Sequence, residues 1–383
     1  MSYLDFNQHN LIWMAVVAVI LIAISIWGQS FRKKPKQIIK YTPYILIISL
    51  VLILVSIGAF AFKGLRWGLD FTGGTILEIK VPAQVQQNQL LEAVIKDLGP
   101  GFQEPQVQKQ ETPDANNMSV AVIRLGKEVG GQGKQIQQLS ITEVEELLAK
   151  LQQEFGKSVE KVKVESIGPI IGQEMSQKAM LAVFLALLFQ LIYITFRFGN
   201  SMRYGLAADI ALLHDLIIMV GIYALFGKQI DSPFVAAILT VIGYSVMDSI
   251  VIFDRIRENL KILKANYEET VNISLNETMT RSINTLLTVL VCLFALYFLG
   301  GATLKNFAFA LLIGCASGAY SSVFVASPIV VLIDKWTKQG EERRVLARRA
   351  ELESIAQAKG SKKVSVDSAN YPYPGNSKKS KKA

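Results

Sequence analysis

Long stretches without charged residues alternate with polar segments along this chain. Five blocks of 18 to 28 residues contain no Asp, Glu, Lys or Arg: Leu11–Gly28, Thr42–Phe62, Ala179–Phe196, Ser282–Leu304 and Asn306–Ile333. The apolar segments Tyr204–Phe226 and Pro233–Phe253 contain only a few ionisable residues each. Because a helix needs about 20 apolar residues to cross a bilayer, the pattern predicts six core spans and an extra N-terminal span. It excludes a soluble enzyme.

The polar region between Lys63 and Glu174 has the periodicity of a separate α+β domain. Leu77, Ile79 and Val81 alternate with charged residues, as in a half-buried strand, and the apolar residues of 90–98 recur at helical spacing. Further strands are predicted over 105–110, 118–125 and 162–164, and a second helix over 144–151. This β-α-β-β-α-β order predicts a ferredoxin-like domain.

The predicted fold class is therefore a polytopic α-helical membrane protein carrying one α+β domain. Five parts follow along the chain: an N-terminal extension with an extra span (1–40), a first core span (41–63), an extracytoplasmic ferredoxin-like domain (64–175), a five-span bundle (176–336) and a basic cytoplasmic tail (337–383).

The distribution of charge sets the expected orientation. The 383-residue chain has a formal net charge of +9. Lys335–Ala383 holds 13 basic and 5 acidic residues, whereas Lys63–Glu174 holds 12 basic and 15 acidic ones. Since basic residues concentrate on cytoplasmic loops, we expect a cytoplasmic tail and an extracytoplasmic domain. The tail is interpreted as an anchor near anionic lipid rather than as a nucleic-acid site.

A glycine-rich turn, Gly68–Thr75, precedes the first predicted strand. Its glycines Gly68, Gly73 and Gly74 allow unusual backbone conformations, and Asp70 is expected to be a turn or cap carboxylate. No Gly-Lys-Ser/Thr follows, so the turn is not a phosphate loop. The two cysteines lie in apolar segments and offer no framework for a metal, and no cofactor is expected.

Ionisable residues inside apolar segments are the candidate functional groups, because burying a charge in lipid costs at least about 2.5–3.5 kcal/mol. Asp248 lies roughly 14 residues into its segment, and Arg281 begins the next one. A nearby guanidinium stabilises the charged form of a carboxyl, so two helix arrangements that change their separation would bind and release one proton. Adjacent positions on a helix diverge by about 100°, so His214 and Asp215 are not expected to share one face closely.

Polar residues follow Arg281 at helical spacing: Asn284, Thr285 and Thr288 form one stripe. The stripe must face protein or water, either as a proton pathway or as polar contacts between helices. Asp254 and Arg255 lie at a predicted helix end, where a local ion pair is favoured.

Five motifs in this order resemble the SecF subunits of the SecD/SecF protein-export family, which is similar to the RND transporters. They are GLDFTGGT (68–75), LLHD (212–215), GYSVMDSIVIFDRIREN (243–259), SIN (282–284) and YSSVFVASP (320–328). Gly243, Asp254 and Arg255 are taken as structural residues of the third motif.

The resemblance implies a multi-pass protein of the bacterial plasma membrane without enzyme activity. It implies that the protein works with SecD at the SecYEG channel, where it uses the proton-motive force to draw out preproteins. SecA and YajC-like subunits are further implied partners. Asp248 matches the intramembrane aspartate of the family and Arg281 its functional arginine, with His214, Asp215 and Asn284 as supporting pathway residues. The family usually has Asn before that aspartate, whereas this chain has Met247.

Three other functions remain open at this point. Met247 favours a passive scaffold of the translocon without proton coupling. One half of a small-molecule exporter would need a partner or a second copy. An intramembrane aspartyl protease would use Asp215 and Asp248, but such chemistry needs a close carboxylate dyad.

Overall fold

The computed structural model describes residues 8–33, 35–98, 102, 105–109, 117–129, 135–156, 158–199, 201–300 and 302–337. The predicted basic tail, beyond residue 337, lies outside the described residues.

Among the described residues, six helices are long and apolar enough to cross a membrane, which confirms the predicted core spans. They are α2 (Thr42–Lys63), α6 (Pro169–Arg197), α7 (Met202–Leu225), α8 (Ser232–Ile262), α9 (Tyr267–Leu299) and a last span, Leu304–Thr337. The last span is built from α10 (Ala302–Ser321), a π-helical turn at Ser322–Ala326 and a further helical stretch. Helices α2 and α6 expose most of their apolar side chains, whereas α7 and the last span are largely buried.

Small residues let the buried helices approach closely. A Cβ added at Gly221 of α7 would overlap the side chain of Ser56 of α2. One added at Gly318 of α10 would lie 2.8 Å from the Cβ of Ser245 of α8. Contact of this kind is typical of helix pairs in membranes, where packing rather than water exclusion holds helices together.

The N-terminal helix α1 (Gln8–Lys33) packs along α9. Its apolar part within the described side chains, Met14–Ser30, has 17 residues, so the extra span stays a prediction. The side-chain amide of Asn276 makes two hydrogen bonds to the backbone of Lys36. The Lys36 N–H donates to Oδ1 at 2.7 Å, and Nδ2 donates to the Lys36 carbonyl at 2.8 Å. Asn272, one turn earlier, donates to the same carbonyl at 3.1 Å. We call these two residues the asparagine clamp.

The polar region forms a four-stranded antiparallel sheet with strand order β3-β4-β2-β7. The elements are β2 (Gly74–Pro82), α4 (Gln87–Leu98), β3 (Gln106–Lys109), β4 (Met118–Leu125), α5 (Ile141–Phe155) and β7 (Glu160–Ile167). This is the predicted β-α-β-β-α-β order. The alternating residues Leu77, Ile79 and Val81 are fully buried in the domain core, against Leu90 of α4 and Leu151 of α5.

A short hairpin, β5 (Lys127–Val129) with β6 (Gln135–Gln137), was not predicted. Each strand has only three residues, which is too short for an alternating pattern to stand out. Helix α5 begins with a capping box, in which the Ser140 side chain accepts from the Glu143 N–H and the Glu143 side chain accepts from the Ser140 N–H.

The glycine-rich turn joins this domain to the membrane helices. Strand β1 (Arg66–Trp67) pairs in parallel with β8 (Gln229–Ile230), and the short helix α3 (Leu69–Thr72) follows. The Asp70 carboxylate accepts from the backbone N–H of Ser232 at 2.7 Å, which fixes the turn on the first residue of α8.

Two glycines of the turn have positive φ, Gly73 at 83° and Gly74 at 135°. A Cβ at Gly74 would lie 2.6 Å from the carbonyl oxygen of Leu125, so this position needs glycine for both its conformation and its contact. Arg124 of β4 lies nearby; burial lowers the pKa of its guanidinium, while the carboxylates of Asp231 and Asp70 oppose that effect.

Candidate functional site in the membrane core

Asp215 of α7 is fully buried and is held by three serine hydroxyls. Ser245 of α8 donates to Oδ2 at 2.9 Å, Ser317 of α10 donates to Oδ1 at 2.6 Å, and Ser321 of α10 donates to Oδ2 at 2.7 Å. Because these donors come from two other helices, the carboxylate ties three spans together. The close contact between Gly318 and Ser245 brings α8 and α10 together next to the Asp215 carboxylate.

His214 contacts the carboxylate beside it, which corrects the expectation that the two side chains would stay apart. Its Nδ1 lies 3.2 Å from Oδ1 of Asp215. Backbone positions one residue apart do diverge on a helix, but the side-chain torsions turn the ring back. The ring also stacks on Tyr320 with 6.0 Å between ring centroids, and the Tyr320 hydroxyl lies 2.9 Å from Oγ of Ser49 on α2. The second ring nitrogen, Nε2, is buried and has no hydrogen-bond partner among the described residues.

Asp248 of α8 is also held by hydroxyls. Ser282 of α9 donates to Oδ1 at 2.5 Å, and Ser322, the first residue of the π-helical turn, donates to Oδ2. Both serines are buried, whereas Asp248 itself is only half-buried. No hydrogen bond joins the Asp215 and Asp248 carboxylates in the described part of the chain, so they do not form the shared-proton dyad that aspartyl proteolysis requires.

The serines around the two carboxylates were not singled out as ligands by the sequence. Ser245 lies three residues before Asp248, on the same helical face, yet its hydroxyl reaches Asp215 instead. Ser321 and Ser322 fall inside the motif 320–328, to which the sequence assigns no contact with a carboxylate. The three serines at 317, 321 and 322 lie in an apolar segment of a chain that has two intramembrane carboxylates. This combination is the sequence feature that could have indicated the serine–carboxylate contacts.

Arg281 is exposed and makes no direct ion pair with Asp248. Its guanidinium is close enough to attract that carboxylate electrostatically, but no hydrogen bond or ion pair joins it to any described side chain. Asn284 and Thr288 of the same stripe are exposed too. The stripe therefore runs along the outside of the described bundle rather than into its core.

Charged residues in the C-terminal part of α8 form ion pairs. Arg197 lies 2.7 Å from Asp254, and Arg255 bonds both Glu258 and Glu277 at 2.6 Å. These contacts join the end of α8 to α6 and α9.

Two further positions of the third motif face away from the site. Gly243 is exposed and would meet no atom within 4 Å if it carried a Cβ. Met247, where the resemblance leads one to expect Asn, is 49% exposed. In the described part of the chain, no three His, Cys, Asp or Glu side chains come together as metal ligands would.

Comparison with known proteins identifies the arrangement. Residues 147–336 match the family model "Protein export membrane protein SecD/SecF, C-terminal", and residues 58–81 match "SecD/SecF GG Motif". The second match covers the glycine-rich turn that anchors the α+β domain.

Curated relatives match over nearly their whole length. The protein translocase subunit SecF of Thermobaculum terrenum is 39% identical over 332 residues, which cover 84% of this chain and 99% of the relative. The SecF of Magnetococcus marinus is 39% identical over 305 residues, covering 79% of this chain and 92% of the relative.

A solved structure has the same fold. The crystal structure of SecDF from Thermus thermophilus, described as a translocon-associated membrane protein, matches with a TM-score of 0.66 and 33% identity. The match covers 79% of this chain but only 39% of the SecDF chain. The serine-held carboxylates therefore lie in a multi-pass bacterial membrane protein that belongs to the SecF family of protein translocase subunits.

Proposed function

We propose that this chain couples the proton-motive force to protein export, with Asp248 as the group that binds and releases the proton. The observation that carries the proposal is the set of partners around this carboxylate: two serine hydroxyls and, among the described residues, no directly bonded cation. A hydroxyl can either donate to a carboxylate or accept from a carboxylic acid, so both protonation states of Asp248 find hydrogen-bond partners. A directly paired cation would instead be left unsatisfied whenever the acid became neutral.

Asp215 and His214 support the pathway rather than carry the exchange. Asp215 is enclosed by three hydroxyls and an imidazole, which favours a fixed role in holding α7, α8 and α10 in register. The imidazole Nε2 is buried without a partner among the described residues, so His214 keeps one position free for a further hydrogen bond. The absence of a hydrogen-bonded carboxylate dyad supports a transport role rather than an enzymatic one.

The exposed stripe on α9 supports pairing with a SecD-type subunit. Arg281 and Asn284 project from the outside of an apolar bundle, where a guanidinium in contact with lipid would cost at least about 2.5–3.5 kcal/mol. A second protein half would cover the stripe and supply polar partners. The SecDF chain of Thermus thermophilus, of which this chain matches about two fifths, supports such a half. Asn284 and Arg281 would then line the pathway at the junction of the two halves.

The expected orientation completes the proposal. The α+β domain faces the extracytoplasmic side, near the exit of a SecYEG-type channel, and the basic tail faces the cytoplasm, as the charge distribution predicts. One charge that moves across 100 mV supplies about 2.3 kcal/mol, enough to change a conformational equilibrium more than tenfold. That energy would alternate the domain between arrangements that hold and release an emerging preprotein.

The decisive experiment places Asp248→Asn in proteoliposomes together with the translocon and the SecD-type partner. We expect export to lose its dependence on the proton gradient, with at least a tenfold fall in the gradient-driven part. Glu258→Gln, a carboxyl-to-amide change ten residues further along α8, is the matched control and should keep that dependence.

Export by Asp248→Asn that remains gradient-dependent would rule the role out. A passive scaffold is the alternative, and Met247 is the residue that favours it. Proton uptake in the same vesicles separates the two: a scaffold would show no uptake that depends on Asp248.

A further inference from the structure

A cavity of about 430 Å³ lies where α2 and α7 end, on the side of the α+β domain. Lys63 is the last residue of α2, Phe226 follows α7, Arg66 is the first residue of β1, and Lys228 directly precedes β8. This cavity is separate from the two carboxylates in the membrane core, and none of its lining residues belongs to the proposed proton pathway.

The described lining of this cavity includes three cations and no Asp or Glu. Nζ of Lys63 donates to the Leu225 carbonyl at 2.8 Å, and Nζ of Lys228 lies 3.1 Å from Oδ1 of Asn306. The Arg66 guanidinium has no hydrogen bond or ion pair with the described residues. The five N–H donors of the Arg66 guanidinium therefore have no acceptor among the described residues, and the described lining offers no carboxylate.

The local electrostatic field is positive. Burial lowers the pKa of the Lys228 ammonium, and the positive charge of Lys305 lowers it further. No carboxylate of the described residues counteracts these two effects. An anion that entered the cavity would therefore relieve repulsion among the cations as well as gain hydrogen bonds from them.

The position of the cavity relative to the membrane-spanning helices indicates the source of an anion that binds there. It lies at the ends of two membrane-spanning helices, where aromatic side chains mark the boundary between hydrocarbon and head groups. Phe62 and Phe226 are 93% and 63% exposed there, and Trp67 is exposed beside them. Basic residues at this depth attract anionic head groups.

We propose that this cavity binds the phosphate group of an anionic phospholipid from the leaflet on the side of the α+β domain. Arg66 can hold two phosphate oxygens through its planar guanidinium, while Lys63 and Lys228 act as point charges on either side. Since Arg66 belongs to β1, which pairs with β8 next to the start of α8, the lipid stabilises the junction between the membrane bundle and the domain.

The test is native mass spectrometry of the purified full-length protein released from phosphatidylglycerol or phosphatidylcholine nanodiscs. We expect preferential retention of phosphatidylglycerol, and about a fivefold loss of that preference for each cation removed in Arg66→Gln and Lys228→Gln. The double variant Lys96→Gln/Lys161→Gln removes the same charge from the α+β domain and should keep the preference. Arg66→Lys keeps the charge and should retain most of it.

Equal retention of phosphatidylglycerol by the wild type and by Arg66→Gln/Lys228→Gln would overturn the proposal. So would displacement of the lipid by millimolar inorganic phosphate, because the cavity would then bind the free ion rather than a head group. Neither result depends on export activity, so the proposed proton coupling is tested separately.

Discussion

Ser321 and Ser322 are neighbours in the chain, yet their hydroxyls donate to two different carboxylates, Asp215 on α7 and Asp248 on α8. The pair stands where α10 passes into the π-helical turn. Wide turns of this kind are rare and frequently occur at functional sites. The last span therefore contributes a hydrogen-bond donor to each of the two carboxylates.

Loss of a hydroxyl at Asp248 should weaken proton coupling without unfolding the protein. A hydrogen bond to a charged group contributes about 1.5–3 kcal/mol, so we expect Ser282→Ala and Ser322→Ala each to reduce gradient-driven export at least about tenfold. Thr240→Ala is the control, because its exposed hydroxyl donates to the Ala236 carbonyl of its own helix, α8, and contacts neither carboxylate. Full gradient-driven export by Ser322→Ala would mean that the Asp248 hydroxyls play no part in coupling.

Replacement of Asp215 should mainly lower stability. Asp215→Ala leaves the buried hydroxyls of Ser245 and Ser317 without their acceptor and leaves Ser321 only the Gly318 carbonyl, so we expect the free energy of unfolding in detergent to fall by about 3 kcal/mol. Asp254→Ala, which removes a half-exposed carboxylate paired with Arg197, should cost about 1 kcal/mol at most. Similar melting temperatures for the two variants would show that the serines do not depend on Asp215.

The closest helix contacts should not tolerate even a methyl group. Gly221→Ala inserts a Cβ against Ser56, and Gly318→Ala inserts one against Ser245. Overpacking of this kind typically costs about 1–3 kcal/mol. Gly243→Ala meets no atom within 4 Å and should leave the melting temperature unchanged or slightly raised. A stability loss in Gly243→Ala as large as in Gly221→Ala would argue against these packing contacts.

The asparagine clamp, Asn272 and Asn276, should be needed to hold α1 against α9. The added Cβ of Gly28 would lie 3.3 Å from the Cβ of Ile283, close to the spacing of about 3.5–4.5 Å found in disulfides. In a background without the two native cysteines, Gly28→Cys/Ile283→Cys should therefore cross-link on oxidation. Addition of Asn272→Ala/Asn276→Ala should reduce the yield severalfold.

Thr288→Ala is the control for the cross-linking experiment, because its hydroxyl bonds only a carbonyl of its own helix. An unchanged yield after loss of both asparagines would show that the asparagine clamp is not needed to hold α1 on α9, where Thr280 also donates to the Gly28 carbonyl at 3.2 Å.

Acid should destabilise the start of α5. The hydrogen bond from Lys127, with those from the Ser140 backbone and hydroxyl, lowers the pKa of Glu143 from 4.5 to about 2. A carboxyl with a depressed pKa stabilises the fold above its unfolded value, so this contribution is complete above pH 4.5 and is lost as the pH falls toward 2. Because the pair is partly exposed, we expect about 1 kcal/mol at most.

The measurement is the melting temperature of the full chain between pH 5 and pH 2.5. Glu143→Gln should show a smaller decrease over this range than the wild type. Glu145→Gln, on the solvent side of the same helix, should follow the wild type. Parallel curves for wild type and Glu143→Gln would contradict the assignment.

Patterns in the sequence predicted the structural features that depend on residues close to one another in the chain. The charge-free blocks gave the spans, and the alternation at Leu77, Ile79 and Val81 gave a buried strand, because burial on one face follows directly from residue spacing. The serine partners of Asp215 could not be predicted in this way. Which helices are neighbours, and which hydroxyls then meet a carboxylate, depends on contacts between residues about 30 and 100 positions apart.

The hydrogen bond from Ser232 to Asp70 has a mechanical consequence. The glycine-rich turn is fastened to the first residue of a continuous helix, and Asp248 lies 16 residues further along that same rod, about 24 Å away. A tilt of only about 5° pivoting at Asp248 would therefore displace the fastening point by about 2 Å. If Asp248 binds and releases the proton as proposed, a small tilt of α8 about that residue would produce a larger movement at the base of the α+β domain.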